Sequence, residues 1–181
     1  SDVTLFCFKT VSVGLIAFLA LAGLALDRAF QSTALSGMRE RLHSYALAYA
    51  NTDFDRDGTV IPPWDPPDPR FKRPGSGLYA QIVLHQSAWE SDSAHGPQLP
   101  AGQMLDPGQQ IFEGPLPLTQ INGQAGQAYR FGYGLVFTDD DAGEEGAAET
   151  PEHEIFYTVY ILEDSTALGR QVATFRKALW R

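Results

Sequence analysis

The feature that most constrains this chain is an uncharged apolar segment near its N-terminus. Residues 10–26 read TVSVGLIAFLALAGLAL, which is 17 residues without a charge, and extension back across Lys9 to Thr4 gives 23. A helix needs about 20 apolar residues to cross the hydrocarbon core of a bilayer, and Lys9 can extend its ammonium group toward lipid head groups. The segment therefore predicts one transmembrane helix over residues 1–26, followed by a single domain over residues 27–181.

Two other structures are compatible with an apolar run of this kind, a cleaved signal peptide and a buried core helix. A signal peptide would end at a small-residue cleavage site with a break in the helix, whereas the helical pattern here runs on past Leu26 without a proline or a turn residue. A core helix with 17 uninterrupted apolar residues is too apolar for a domain of this size. The membrane helix is the favoured interpretation.

Charge and cysteine content exclude several classes of protein. The net charge of −9 argues against nucleic-acid binding, because contacts to phosphate require a basic surface. The one cysteine, Cys7, lies within the apolar N-terminus, so the chain can form neither an internal disulfide nor a cysteine-based zinc cluster.

The rest of the chain predicts helix, then strands, then helix. An apolar stripe from Ala34 to Tyr49, with spacings of three and four, continues the first helix beyond the membrane segment. A loop rich in Pro and Asp follows over residues 52–74, and its prolines exclude a helix or a central strand. Ser165 is a good N-cap for a final amphipathic helix. The strand candidates are residues 78–84, 87–91, 110–113, 127–138 and 153–162. This order favours an α+β fold with an antiparallel sheet.

Three segments resemble the sensor region of PhoQ-like sensor histidine kinases. Residues 67–84 (PDPRFKRPGSGLYAQIVL) with the following SAWES are similar to the first hairpin of the sheet, and residues 156–180 are similar to the last strand and outgoing helix. Residues 27–50 resemble the incoming helix. The resemblance implies a PAS-like sensor domain of the PDC class, flanked by long N- and C-terminal helices and located in the periplasm of a homodimeric inner-membrane protein.

The resemblance also implies function. The parent protein is expected to be an ATP-dependent protein-histidine kinase of a two-component phosphorelay, with a response regulator as its downstream partner. This chain has no phosphoacceptor histidine box and no Gly-rich ATP lid, so it is not expected to be an enzyme by itself. Sensors of this family respond to divalent cations, cationic peptides or acidity through an acidic surface that faces membrane lipids.

An acidic run, residues 139–154, is the candidate for that surface. Hard cations prefer carboxylate oxygen, so Mg²⁺ or Ca²⁺ would offset the mutual repulsion of these acids, and protonation would do the same. The alternative interpretation is a solvated acidic loop between two strands, in which Gly143 and Gly146 give flexibility. Eight carboxylates fall in these 16 residues: Asp139, Asp140, Asp141, Glu144, Glu145, Glu149, Glu152 and Glu154.

Two weaker motifs have simpler explanations. Asp53, Asp55 and Asp57 match the start of an EF-hand calcium loop, but its twelfth position is Trp64 instead of glutamate, which favours an Asp-Gly turn. Residues 75–80 match G-x-G-x-x-A, yet they follow a Pro-rich loop and open a strand, so a dinucleotide site is not expected and the glycines shape the start of the sheet.

Three other functions are considered beside the sensor. One is a PDC domain that binds a small organic ligand in a sheet pocket lined by Tyr79, Tyr129 and Tyr133. Another is a membrane-tethered structural or assembly protein. A hydrolase is the most distant, because no nucleophile and base stand out as a pair.

Overall fold

The computed structural model of the chain describes residues 2–138 and 154–179. The chain divides into two compact units, Ser1–Glu40 and Arg41–Arg181. The first helix, α1, runs over Asp2–Ala50 and contributes residues to both units. The other elements all belong to the second unit.

The first unit consists of α1 alone and contains the apolar segment. Its sequence is long and apolar enough to cross a membrane, and none of its most apolar stretch is buried within the structure. A core helix of a soluble domain would be buried, so that alternative is wrong for this segment. A helix with these properties near the N-terminus fits either a membrane span or a signal sequence.

The second unit is built on a five-stranded sheet in which every pair of neighbours is antiparallel, in the order β4-β3-β7-β6-β5. The predicted α+β class is therefore confirmed. The last strand, β7, lies in the centre and leads directly to the final helix, α2, over Thr166–Leu179. The strands of the sheet are β3 (Leu78–Val83), β4 (Ala88–Glu90), β5 (Gln110–Thr119), β6 (Ala125–Thr138) and β7 (Glu154–Asp164).

The strand predictions differ from the structure mainly at β5, which continues to Thr119 although residues 110–113 alone were predicted. Pro115 and Pro117 suggested that the strand ended before them. However, β5 lies at the edge of the sheet, where a missing N–H is tolerated, and its register to β6 shifts between Glu113 and Leu116. The Gly114–Pro115 peptide bond is cis.

The Pro- and Asp-rich loop also contains more regular structure than predicted. Two short strands, β1 (Asp53–Phe54) and β2 (Val60–Ile61), form a small hairpin. A 3-10 helix follows over Pro69–Lys72, although a helix in this loop was not expected. Its start is explained by the Asp68 side chain, which accepts the Arg70 N–H, and by proline at the first helical position.

One face of the sheet packs against the last turns of α1 and is called here the helix face. Leu42, Ala46 and Tyr49 of the predicted apolar stripe are buried. The His43 ring stacks on Phe131 with 4.9 Å between centroids, and the Tyr157 hydroxyl donates to the Ala50 carbonyl oxygen at 2.9 Å. The part of the apolar stripe that belongs to the second unit, from Leu42 to Tyr49, is therefore buried as its spacing indicates.

The opposite face is covered by a loop, residues 96–108, called here the strap. Tyr79, Tyr160 and Leu162 form a buried cluster on this face, and Leu99 and Leu105 of the strap pack against it. The Tyr160 hydroxyl donates to the Gln103 carbonyl oxygen, and the Leu105 N–H donates to Thr158 Oγ1 at 2.9 Å. The strap thus takes the place of a second helix layer and completes the core.

Candidate functional site

The end of the central strand is tied to the first helix by an ion pair. Arg41 on α1 donates from Nη2 to Glu163 Oε2 of β7 at 2.6 Å, and Arg70 Nη1 lies 3.9 Å from Glu163 Oε1. The Glu163 carboxylate is largely shielded from solvent, whereas the Arg41 side chain is about 42% exposed. A single carboxylate therefore holds two guanidinium groups from two different segments.

A second carboxylate, Asp68, extends this group toward α1. It accepts from Arg70 Nη2 at 3.0 Å and from the Tyr45 hydroxyl at 2.8 Å. The hydrogen bonds from Arg70, together with those from the Arg70 backbone and Tyr45, hold the pKa of Asp68 well below its usual range, against the opposing effect of burial. We call Arg41, Tyr45, Asp68, Arg70 and Glu163 the junction.

The next residue, Asp164, ties the same strand to the last helix. Its Oδ1 accepts the Thr166 N–H at 2.8 Å, and its Oδ2 accepts from Gln120 Nε2 at 2.7 Å. Ser165 lies at the predicted N-cap position, but its hydroxyl is buried without a hydrogen-bond partner. The capping carboxylate is thus Asp164, and the prediction of a Ser165 cap is wrong in its chemistry.

Two consecutive side chains therefore connect three elements. Glu163 holds α1, and Asp164 holds the first turn of α2, while both belong to the central strand. The contacts of these two side chains are an ion pair and hydrogen bonds. Through them the end of β7 is joined to α1 on one side and to the start of α2 on the other.

The predicted acidic run lies mostly outside the described residues, since 139–153 are not among them. Glu154 is described, and it is exposed at the start of β7, paired with Thr138 at the end of β6. The run thus connects two paired strands at the end of the sheet where β6 finishes and β7 begins. Its role as a binding surface stays a prediction.

The three aspartates of the calcium-loop motif lie in the β1–β2 hairpin. Asp53 pairs with Ile61, and Asp55 closes the turn by accepting the Gly58 N–H on its carbonyl oxygen at 2.7 Å. Gly58 has a φ of 74°, as an Asp-Gly turn requires. Within the described residues no three His, Cys, Asp or Glu side chains form a group that could hold a metal ion, so the structure favours the turn over the calcium loop.

The G-x-G-x-x-A motif opens a strand in the structure. Gly75 and Gly77 have φ values of 68° and 93°, and β3 begins at Leu78. A dinucleotide site would place a helix after these glycines. The interpretation that the glycines shape the start of the sheet is therefore confirmed.

The three tyrosines of the organic-ligand hypothesis do not share a face of the sheet. Tyr79 pairs with Leu162, whereas Tyr129 pairs with the adjacent Glu163 and Tyr133 with Val159. Because side chains alternate along a strand, Tyr79 lies on the strap face and the other two lie on the helix face. They cannot line one sheet pocket, and that part of the hypothesis is wrong.

The strap face instead contains a buried arginine that sequence analysis did not identify. Arg130, about 9% exposed at its side chain, donates from Nε to Glu113 Oε1 at 2.8 Å and from Nη1 to the Ala101 carbonyl oxygen at 3.0 Å. Its guanidinium carbon lies 4.6 Å from the centre of the Tyr160 ring. Arg130 therefore fastens the strap to the sheet by hydrogen bonding and a cation–π contact.

Some of these residues left a signal in the sequence and others did not. The Asp-Pro pair at 68–69 is a helix-start signal that was readable, and it places the Asp68 carboxylate. The Arg41–Glu163 pair joins residues 122 positions apart, which no local pattern reveals. Arg130 and Glu113 become recognisable as a cross-strand pair only once the register of β5 and β6 is known.

Comparison of the chain with models of protein families, with curated proteins and with solved structures finds no match.

Proposed function

We propose that this chain is the membrane-anchored input region of a PhoQ-like sensor histidine kinase, with a PDC-type sensor domain in the periplasm. The observation that carries the proposal is the course of the chain. An apolar helix continues as the helix that packs on an α+β domain, and the central strand of that domain runs directly into a second helix. The resemblance of three segments to these sensors points the same way.

The junction supplies a route for the signal. A shift of α1 reaches β7 through Arg41 and Glu163, and reaches the first turn of α2 through Asp164. In a homodimer, two such domains would bias a bundle of membrane helices between two states. A ligand shifts that balance only by its differential affinity for the two states.

The proposed input surface is the acidic run of residues 139–154, in its periplasmic location beside the inner membrane. Mg²⁺ or Ca²⁺ would bridge its carboxylates to anionic lipid head groups, whereas cationic peptides or acidity would displace or replace the ions. The kinase region and its response regulator would then receive the change in helix position. Nucleic acid plays no part in this proposal.

The test uses the full-length protein in proteoliposomes, with the sensor domain outside and ATP enclosed. External Mg²⁺ is expected to change the rate of histidine autophosphorylation, and the triple variant Asp139→Asn, Asp140→Asn, Asp141→Asn is expected to lose that response. Asp57→Asn removes one exposed carboxylate from the β1–β2 turn and serves as the control, with a response like that of the parent protein.

The outcomes separate the hypotheses. An unchanged Mg²⁺ response in the triple variant would remove residues 139–141 from the mechanism. A full-length protein without ATP-dependent phosphorylation would contradict the sensor-kinase proposal and favour a tethered structural or assembly protein. An autophosphorylation rate that is unaffected by divalent ions but changes with an organic solute would favour a small-molecule sensor.

The junction gives a second, independent test of signal transmission. Glu163→Gln removes the charge that holds Arg41 and Arg70 but leaves the acidic run intact. We expect this variant to alter the basal rate of autophosphorylation while the Mg²⁺ concentration at half-response stays within about twofold, which is less than 0.5 kcal/mol in binding. A change in half-response with an unchanged basal rate would place Glu163 in ligand binding instead.

A further inference from the structure

A groove of about 370 Å³ opens beside the C-terminal end of α1. It adjoins the junction, because its lining residue Phe71 follows Arg70 in the chain and packs on Tyr45 with 5.5 Å between ring centroids. Four aromatic residues from four separate segments line it: Tyr49 of α1, Trp64 of the Pro-rich loop, Phe71 of the 3-10 helix and Trp89 of β4. Its volume lies within the range of small-molecule sites in proteins. The chain thus gathers aromatic rings from positions 40 residues apart into one concave surface.

Three of the four rings are held rigidly. Tyr49 and Phe71 are buried and meet edge to face, with 5.2 Å between ring centroids. The Tyr49 and Trp89 centroids lie 5.9 Å apart. Pro62, Pro63 and Pro66 form part of the wall, and their fixed φ angles limit its movement. The floor of the groove is therefore preorganised.

The fourth ring, Trp64, is 97% exposed although it lines the groove. A tryptophan offers one of the largest apolar surfaces of any side chain, and folded proteins ordinarily bury most of it. Here the indole packs on almost nothing in the free chain. A ligand in the groove would cover one face of the indole and remove that apolar surface from water.

One negative and one positive side chain lie at the groove. Asp92 and Lys72 are the charged residues of the lining, and both are exposed. Asp92 lines the same groove as Tyr49, and the pKa of the Tyr49 hydroxyl is raised by burial first and by the negative charge of Asp92 second. Lys72 has a long flexible stem that can carry its ammonium group into solvent.

We infer that this groove binds an organic cation of the quaternary ammonium class. Aromatic faces attract a positive charge through the ring quadrupole, and an alkylated ammonium loses little hydration when it enters an apolar site. Asp92 adds a formal negative charge at the same surface, and the chain as a whole carries a net charge of −9. The inference does not rest on the sensor proposal, because it concerns binding alone.

The experiment titrates choline into the whole 181-residue chain in phosphatidylglycerol nanodiscs, followed by calorimetry. The uncharged carbon isostere 3,3-dimethylbutan-1-ol is titrated in parallel, since it has the same shape without the charge. Saturable choline binding with at least tenfold weaker binding of the isostere is expected. Equal binding of the two, or no saturable choline binding at millimolar concentration, would overturn the inference.

Variants distinguish cation binding from general apolar binding. Trp64→Leu keeps an apolar side chain but removes the π face, and is expected to weaken choline binding about 3- to 30-fold, whereas Trp64→Phe should retain more of it. Trp64 is so exposed that its replacement should leave the fold intact. Asp92→Asn is expected to weaken binding, and Asp57→Asn, in the β1–β2 turn, is the matched control with unchanged affinity.

Lys72→Met tests the sign of the ligand's charge. Removal of this cation should raise the affinity for choline, and a fall in affinity would mean that the groove recognises an anionic group. The same titration in phosphatidylcholine nanodiscs distinguishes two sources of the ligand. Choline affinity that falls in those nanodiscs identifies the lipid head group as the occupant, and unchanged affinity identifies a free solute.

Discussion

Asp68 makes more hydrogen bonds than is expected of a residue in a Pro-rich loop. It caps the 3-10 helix, holds Arg70 and accepts from Tyr45, so one carboxylate organises three groups. Its replacement by asparagine keeps the shape but removes the charge. Because hydrogen bonds to charged groups are the stronger ones, we expect Asp68→Asn to lower the free energy of unfolding by about 1–3 kcal/mol in urea denaturation.

The same residue predicts a pH dependence with a definite sign. The pKa of Asp68 in the folded chain lies below its unfolded value of about 3.9, so its stabilising effect is complete above that value. As the pH falls below about 4, the unfolded state gains a proton that the folded state does not, and the stabilisation is lost. The difference in unfolding free energy between the parent chain and Asp68→Asn should therefore shrink from about pH 6 to about pH 3.

Urea denaturation of both proteins across this pH range provides the check, because other acids titrate equally in the two chains and cancel in the difference. Parallel stability profiles for the two proteins would show that the Asp68 charge contributes nothing to folding.

At the scale of residues, the sequence predicted turns, which depend on neighbouring residues, but not contacts between residues far apart in the chain. The Asp-Gly turn at Asp57 and Gly58 and the glycines before β3 were read correctly, because turn geometry depends on neighbouring residues. The prediction of a Ser165 cap failed because a serine and an aspartate stood side by side, and only the backbone path decides which oxygen reaches the Thr166 N–H.

The strap covers one face of the sheet together with Ala94, and its packing on Tyr160 can be tested directly. Gly102 lies against the Tyr160 ring, and a Cβ at this position would lie 2.6 Å from Tyr160 Cε2. Gly102→Ala should therefore push the strap away from the sheet and lower the unfolding free energy by about 1–3 kcal/mol. Amide hydrogen exchange at Leu105, whose N–H donates to Thr158, should become faster.

Gly37→Ala is the matched control for this substitution. A Cβ at Gly37 meets nothing within 4 Å, and the residue lies in α1, where alanine is favoured over glycine by up to about 1 kcal/mol. It should leave the Leu105 exchange rate unchanged. Equal destabilisation by both substitutions would indicate that close packing at Gly102 is not the cause.

At the scale of elements, the sequence predicted all five strands of the sheet, because alternation and aromatic content are strong in β3, β6 and β7. It missed the last six of the ten residues of β5. The prolines at 115 and 117 are tolerated because β5 is an edge strand, and the sequence alone does not show which strand lies at the edge. The sequence also did not predict that the strap packs on the sheet, because no local pattern indicates which face of a sheet a loop covers.

For the whole molecule, the first question is whether residues 1–26 remain with the domain. A membrane span predicts that the chain stays in the membrane pellet after alkaline extraction and that its intact mass includes these residues. A cleaved signal sequence would give a shorter soluble product. We expect retention, because the helix continues past residue 26 without a break.

Leu19→Arg together with Leu21→Arg provides the control for this experiment. Each arginine near the middle of a span costs about 2.5–3.5 kcal/mol on insertion scales, so the variant should leave the membrane fraction. A variant that remains in the pellet would show that the apolar helix is not what holds the protein there.

The central place of β7 has a mechanical consequence. Hydrogen-bonded ladders flank it on both sides, to β3 through Leu78–Val83 and to β6 along its entire length, and α2 follows it directly. A force that α2 transmits along the direction of β7 therefore loads both ladders in shear, where many hydrogen bonds share the force, instead of peeling an edge strand one bond at a time. We therefore expect a displacement of α2 to move the five-stranded sheet as a rigid body rather than to deform it.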